Sequence, residues 1–173
     1  MDDIKSTLNR LLQAGGPESS KLVGVMRHGF QVSGHNLLIP EGTSCELTTR
    51  QNICPLPDCP AWFAGFINHR GHAVPVYDLE CFLCEGDTRP PSGRDFRILL
   101  LDPHPGTAGF IIHALPSVLS DLLPDELVET DGLPPLLAPF ISSVWKQNEH
   151  RWYEIDHQAL LGHLKAQFQP LKR

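Results

Sequence analysis

Residues 53–79 read ICPLPDCPAWFAGFINHRGHAVPVYDL, and this stretch determines the predicted fold. Two apolar segments within it, Trp62 to Asn68 and His72 to Leu79, flank an Arg70-Gly71 turn. Short apolar runs on either side of a glycine-containing turn are typical of a β-hairpin. A proline-rich segment precedes the first strand. The stretch therefore predicts a hairpin of specific layout, and it contains no grouping of catalytic side chains.

The composition fits a globular protein that does not bind nucleic acid. The chain has 173 residues, of which 41% are hydrophobic, enough for one domain or two small subdomains that share a core. The formal net charge is −6, whereas general affinity for a phosphate backbone requires a basic face. The chain lacks an apolar run of about 18 residues and a signal-peptide pattern, which predicts a cytoplasmic protein without a transmembrane segment.

Short helices are predicted near both ends of the chain. Residues Asp3 to Ala14 favour a helix, since Ile4, Leu8, Leu11 and Leu12 recur on one face. A linker follows, so that residues 1–20 form an N-terminal helix and linker. A closing helix is predicted at about residues 156–168, with Asp156 as its N-cap.

The body of the chain, residues 21–173, predicts a mainly β domain. Many short apolar segments alternate with turn residues, a pattern that is typical of a β-barrel or sandwich. A second linker, rich in proline, glycine and charged residues, falls near residues 85–94. The break near residue 90 suggests two barrels in one chain.

The five cysteines allow two interpretations. The pairs Cys54/Cys59 and Cys81/Cys84 have chelating spacings, which would favour a metal-binding or small-ligand-sensing β-barrel that uses the Cys/His pairs. The second pair, however, lies in an apolar run, and the second knuckle that strong zinc motifs show is missing. Reduced and mostly packed thiols are therefore expected, with no metal ligand and no cofactor.

The motifs of common enzyme classes are absent from the sequence. It contains no G-x-S-x-G nucleophile elbow, no phosphate-binding loop and no H-E-x-x-H metal site. Asp78 and Glu80 could act as paired carboxylates, but Asp78 follows a strand and is predicted to cap the next turn. We therefore expect no catalytic residues and no enzymatic activity.

Several motifs together carry a family resemblance. In order they are FQVSG at 30–34, CEL at 45–47, N-x-R-G and P-V-x-D-L within 53–79, and AGFIIH at 108–113. Over about residues 21–165 the chain resembles the CheW family, the scaffold proteins of bacterial chemosensory arrays. The resemblance implies two five-stranded SH3-like β-barrels that share a core. It also implies an adaptor that links the cytoplasmic tips of methyl-accepting chemoreceptors to the regulatory domain of a CheA-type histidine kinase.

The resemblance implies partner contacts at matching positions. Glu46 and Leu47 match a Glu-aliphatic pair near the receptor and kinase surfaces of the family. Gly65 and Arg70 match positions associated with scaffold contacts, and Gly109 begins the matching glycine-aliphatic strand of the second barrel.

The residues of the hairpin suggest further roles. Arg70 would present a planar five-donor fork at the tip, which suits a partner carboxylate, unless it is solvated or paired internally. Gly71 accepts a positive φ at low cost, and Asn68 is expected to hydrogen-bond the turn. Both are also predicted partner-contact residues. Trp62 would anchor a partner helix if it were partly exposed.

Two departures from the family pattern leave the partners open. The family usually has an aspartate where this chain has His113, and the segment Ser120 to Pro139 is rich in proline and matches weakly. The pathway is either flagellar chemotaxis or a pilus-based (twitching) system of the PilI or ChpC type. The predicted N-terminal helix and the divergent second barrel favour the pilus-based system slightly.

Overall fold

A computed structural model describes residues 25–48, 52–84, 95–126 and 130–168. Within these ranges the chain forms two β-sheets, two α-helices and one 3₁₀ turn at Ala138–Phe140. In chain order, the strands are β1 (Arg27–Val32), β2 (His35–Leu38), β3 (Cys45–Thr48), β4 (Phe63–His69), β5 (His72–Tyr77), β6 (Arg97–Leu101), β7 (Ala108–Ile112), β8 (Ser117–Leu119), β9 (Leu123–Pro124), β10 (Ile141–Gln147) and β11 (His150–Ile155). The helices are α1 (Leu79–Leu83) and α2 (His157–Ala166). The helix predicted at Asp3–Ala14 and the linker near 85–94 lie outside the described residues.

The first sheet has six strands in the order β8-β1-β2-β11-β10-β9. The pair β2–β11 is parallel and the other pairs are antiparallel. Strands β8 and β9 are at opposite ends of this order, yet only residues 120–122 separate them in the chain. A connection of that length spans at most about 14 Å. The sheet must therefore curl until its two edges approach, as in a barrel.

The second sheet has five strands in the order β3-β6-β7-β5-β4. Beyond β4, Cys54 forms an isolated antiparallel bridge with Phe66. The chain runs from the end of β3 at Thr48 to Cys54, and so passes from one edge of the sheet to the other. The Arg70 side chain at the β4–β5 turn also contacts Glu46 of β3, so the two edges of the second sheet approach each other.

The barrel prediction is confirmed, with two differences in detail. The first barrel has six strands and not five, because the two-residue strand β9 adds to it. The boundary between the two barrels also does not fall at residues 85–94. The strands before and after that segment, β5 and β6, belong to the same sheet. Instead, β1 and β2 join the C-terminal strands through the parallel pair β2–β11.

The two barrels share one apolar core. Its buried residues come from both sheets and from α2, and the rings of Phe30 in β1 and Phe110 in β7 stack with centroids 6.3 Å apart. Two smaller clusters are separate from it, one around Ile67 and Ile98 and the other around Leu38 and Trp152. The shared core, expected from the family resemblance, thus holds the two barrels together.

Both helices begin at an aspartate that caps them. Asp156 Oδ1 accepts a hydrogen bond of 2.9 Å from the Ala159 amide, as predicted, and α2 buries Leu160, Leu161 and Leu164 in the shared core. Asp78 Oδ1 accepts a 3.0 Å hydrogen bond from the Cys81 amide, which confirms that Asp78 caps the turn after β5.

Replacing the cap of α2 should lower stability measurably. We expect Asp156→Ala to reduce the free energy of unfolding by about 1 kcal/mol, because the Ala159 amide loses its side-chain acceptor. Urea unfolding followed by circular dichroism measures the change. Gln158→Ala, at an exposed position of the same helix, should change it by less than about 0.5 kcal/mol. Equal losses in the two variants would show that the cap contributes nothing specific.

Candidate partner-binding surface

The β4–β5 hairpin ends in a two-residue turn whose shape is set by its own side chains. His69 pairs with His72, and the intervening Arg70 and Gly71 have φ values of 52° and 85°. Two positive φ angles are typical of the type I′ turn of tight hairpins. Asn68 Oδ1 accepts a 2.9 Å hydrogen bond from the Gly71 amide, which confirms its predicted role. Asn68 and Gly71 therefore shape the turn that carries Arg70.

Arg70 forms an exposed ion pair with a residue of β3. Its Nη2 lies 3.2 Å from Oε1 and 3.1 Å from Oε2 of Glu46 in β3, at the opposite edge of the sheet order. His69 Nε2 lies 3.5 Å from Glu46 Oε2. The side chains of Arg70 and Glu46 are 75% and 44% exposed. A pair this exposed adds little to stability, typically below about 1 kcal/mol, so its main effect is to orient both side chains.

A cavity of about 290 Å³ lies beside this pair. Its lining includes Glu46 and Arg70 on one side and Asp102 and His104 on the other. The rings of His72 and His104 stack with their centroids 3.7 Å apart. The lining mixes donors and acceptors, so it can receive polar side chains of a partner. Sequence reasoning missed this contact because the two histidines are far apart in the chain.

Leu47 is an exposed apolar side chain in β3. It follows Glu46 in β3 and is 39% exposed, although most leucines of the described residues are buried. Glu46 and Arg70 are therefore the predicted contact residues whose side chains the structure places in contact on an accessible surface, whereas Leu47 projects from the opposite face of β3. We refer to Glu46 and Arg70 as the hairpin surface.

Trp62 is not on this surface, and the expectation of an exposed anchor was wrong. Its side chain is 9% exposed and belongs to the shared core. The indole stacks on Tyr77 and meets the rings of Phe82 and Phe168 edge-on, with centroids 5.3 to 6.4 Å apart. Such aromatic contacts stabilise the interior. Trp62 therefore packs in the shared core against Tyr77 of β5.

Two of the three glycines predicted as contact residues, Gly65 and Gly109, are also buried. Gly65 has a φ of 129°, and a Cβ there would overlap the backbone of Cys54, with its carbonyl carbon only 2.7 Å away. A Cβ at Gly109 would lie 2.7 Å from Ile98 Cγ2. At both positions the absence of a side chain lets neighbouring atoms approach the backbone closely. Packing therefore accounts for both glycines in the structure.

His113, the departure from the family pattern, follows β7. Its Nδ1 is 3.2 Å from the carbonyl oxygen of Asp95. Its Nε2 is 3.7 Å from Glu80 Oε2 in α1, which is beyond hydrogen-bonding distance. These contacts place the imidazole between α1 and the residues that precede β6.

The cysteines show no metal-binding arrangement. In the described ranges, no group of three or more His, Cys, Asp or Glu side chains is placed to hold a metal ion. Cys81 is buried and its thiol donates to Asp78 Oδ2 at 3.3 Å, whereas Cys84 is exposed, so packing accounts for only one member of this pair. Burial raises the pKa of the Cys45 thiol, which disfavours the thiolate that metals and electrophiles require. Burial likewise raises the pKa of the Tyr77 phenol.

Comparisons with known proteins agree with the fold and the motifs. A family model described as the CheW-like domain matches residues 28–165. This chain belongs to the CheW-like domain family. It is 30% identical over 161 residues to protein PilI of Pseudomonas aeruginosa, an alignment that covers 89% of this chain and 85% of PilI. It is also 35% identical over 60 residues to protein FrzA of Myxococcus xanthus, covering 35% of this chain and 38% of FrzA.

A solved structure shows the same fold. The crystal structure of the scaffolding protein TtCheW from Thermoanaerobacter tengcongensis superposes with a TM-score of 0.58 at 22% identity, covering 77% of this chain and 89% of that one. The prediction of a CheW-like chemosensory scaffold, similar to the PilI type, is confirmed by these relatives. Members of the family are non-catalytic scaffold proteins. Among the helices of the described residues, none has the length and apolar character needed to cross a bilayer.

Proposed function

We propose that this CheW-like protein is a non-catalytic adaptor that couples methyl-accepting chemoreceptors to a CheA-type histidine kinase. The similarity to PilI over most of both chains supports a pilus-based chemosensory pathway as its setting. Its place in the cell is then the cytoplasm, beside the membrane-bound receptor arrays. The partners are the kinase regulatory domain and the cytoplasmic tips of the receptors.

The hairpin surface is the observation that carries this proposal. Arg70 is held at the tip of a tight turn by Asn68 and Gly71, and it is oriented further by Glu46. A preformed surface loses little conformational freedom on binding, so more of the contact energy remains as affinity. Arginine is among the residues enriched in protein interfaces and at their energetic hot spots. The surface therefore suits a protein partner that presents carboxylates or backbone carbonyls.

Reversing the charge of Arg70 should weaken this complex. We expect Arg70→Glu to lower the affinity for the kinase regulatory domain by about tenfold or more, since a carboxylate would replace the donor fork and repel Glu46. Isothermal titration calorimetry at fixed ionic strength measures the affinity. The thermal unfolding midpoint should stay nearly unchanged, because the pair is exposed.

A matched control separates this effect from net charge. Lys165→Glu makes the same change in charge on an exposed position of α2, and we expect it to leave the affinity within about twofold of the unchanged protein. Equal weakening by the two variants, or no weakening by Arg70→Glu, would argue against the hairpin surface. If the unchanged protein binds neither the kinase domain nor the receptor tips from its own genome, the adaptor function is refuted.

A further inference from the structure

The tip of the β4–β5 hairpin extends beyond the strand pairing that holds its base. Strand β7 pairs with the last two residues of β5, Val76 and Tyr77, whereas the first residue of β5, His72, lies at the tip. On the other side of the hairpin, Cys54 forms its bridge with β4 at Phe66, before the turn. The turn therefore depends on side-chain contacts for its orientation relative to the rest of the barrel.

One of these side-chain contacts joins the tip to the turn between β6 and β7, residues 102–107. The imidazole of His104 in this turn stacks on that of His72, with ring centroids 3.7 Å apart and ring planes inclined by 18°. Stacked aromatic rings attract each other. His72 also pairs with His69 across the hairpin, so the stack acts on the residue that directly follows the Arg70-Gly71 turn.

The segment that carries His104 is itself fixed to the rest of the fold. Asp102 Oδ2 lies 2.7 Å from Nε2 of His157, the first residue of α2, whose side chain is buried. The Asp102 amide also donates a hydrogen bond of 3.0 Å to the carbonyl oxygen of Ser44. Since α2 packs into the shared core, these two contacts anchor the start of the β6–β7 turn.

We propose that His104 is a positioning residue of the hairpin surface, which holds the turn that carries Arg70 by stacking on His72, and that protonation of both rings releases the turn. The proposal rests on the adaptor function proposed above, because it concerns the same surface. Histidine is the side chain that changes its charge between about pH 5 and 8, and two imidazolium rings in contact repel each other. A stack that carries one proton or none has no such repulsion.

The other charged groups around the stack are already paired. Among the described residues that line the cavity, the titratable groups besides the two stacked rings are Glu46, His69, Arg70 and Asp102. Glu46 contacts Arg70 and His69, and Asp102 contacts His157 of α2. A second proton on the stack therefore finds no unpaired carboxylate among these groups, and Arg70 adds a permanent positive charge.

Two substitutions of His104 in the full-length chain test the stack. We expect His104→Ala to raise hydrogen exchange of the backbone amides at 67–72 by about threefold to tenfold, because the tip loses its contact with the β6–β7 turn. His104→Phe keeps an aromatic ring on His72, so these amides should stay within about twofold of the unchanged protein. His150→Ala is the matched control, since His150 also directly follows a two-residue hairpin turn, in the other barrel, and it should leave the amides at 67–72 unchanged.

A pH profile distinguishes release by protonation from a purely structural role. Between about pH 7.5 and about pH 5.5, the amides at 67–72 of the unchanged protein should lose about threefold of their protection, corrected for intrinsic exchange, whereas those of His104→Phe should not. Isothermal titration calorimetry measures the affinity for the kinase regulatory domain over the same range. That affinity should fall about threefold more for the unchanged protein than for His104→Phe.

The other outcomes would overturn the proposal. Unchanged exchange in His104→Ala would refute positioning by the stack, and equal increases in His104→Ala and His104→Phe would show that the ring does not act by stacking. Equal pH profiles of the unchanged protein and His104→Phe would refute release by protonation. Exchange as expected with an affinity that does not follow it would refute the link to binding. The exchange measurements need no partner, so they test the contact even if the unchanged protein binds neither the kinase domain nor the receptor tips and the adaptor function fails.

Discussion

Gly65→Ala is expected to lower the free energy of unfolding by about 3 kcal/mol. Two costs add, since the residue has a φ of 129° and a new Cβ would overlap the backbone at Cys54. Strain at such a backbone angle and overpacking each cost about 1–3 kcal/mol. The Cys54–Phe66 bridge that closes the barrel would have to move away. Urea unfolding, or loss of soluble protein in the extreme case, measures the effect.

Gly34→Ala separates the two costs. Gly34 has a φ of 81°, but a Cβ added there would meet no atom within 4 Å, so this position carries the backbone strain without the overlap. We expect the substitution to cost about 1 kcal/mol. If Gly65→Ala lowered the free energy of unfolding no more than Gly34→Ala does, the Cys54 backbone would not be packed closely against Gly65. If Gly65→Ala weakened partner binding at unchanged stability, Gly65 would be a contact residue after all.

Local features of the hairpin explain why the sequence predicts it well. Arg70-Gly71 and Asn68 act on residues within one turn, and the apolar strands on either side are continuous in the chain. The caps Asp78 and Asp156 are similarly local, because each acts on an amide three residues ahead. Interactions of this range can be inferred from the order of residues alone.

Contacts between distant segments explain what the sequence left open. The same residue, Gly65, fits a contact surface or a packing position, and only the neighbouring Cys54 backbone decides between them. Trp62 is buried because Phe82 and Phe168 reach it from two helical regions. The parallel pair β2–β11 joins strands more than a hundred residues apart. A local sequence pattern does not predict which distant segments come into contact.

A buried ion pair inside the first barrel is the clearest feature without a sequence signal. Arg27 Nη2 lies 2.6 Å from Glu154 Oε2, and the two side chains are 7% and 18% exposed. Arg27 also donates to the carbonyl oxygen of Ile39 at 3.0 Å and lies over the Trp145 ring, 5.3 Å from its centroid. Trp145 Nε1 donates to the same carboxylate at 2.9 Å. Each charge therefore depends on the other for compensation.

Removing one partner of this pair should be far more costly than removing both. We expect Arg27→Met or Glu154→Met alone to lower the free energy of unfolding by about 3–5 kcal/mol, because an uncompensated charge stays largely buried. The double variant replaces both charges by apolar chains and should cost much less than the sum, since no uncompensated charge then stays buried. Urea unfolding of the four proteins gives the coupling energy directly.

The exposed Arg70–Glu46 pair provides the matched cycle, with the same residue types in solvent. Its coupling energy should be below about 1 kcal/mol and should shrink at high salt. The Arg27–Glu154 coupling should be about 2 kcal/mol or more and should respond little to salt, because both groups are shielded from ions. Equal couplings in the two cycles would mean that water reaches Arg27 and that the first barrel is more open than its strand order requires. A large buried coupling would instead show that this side-chain pair fixes β1 relative to β11 and so supports the β2–β11 pairing, through which the N-terminal strands join the C-terminal half.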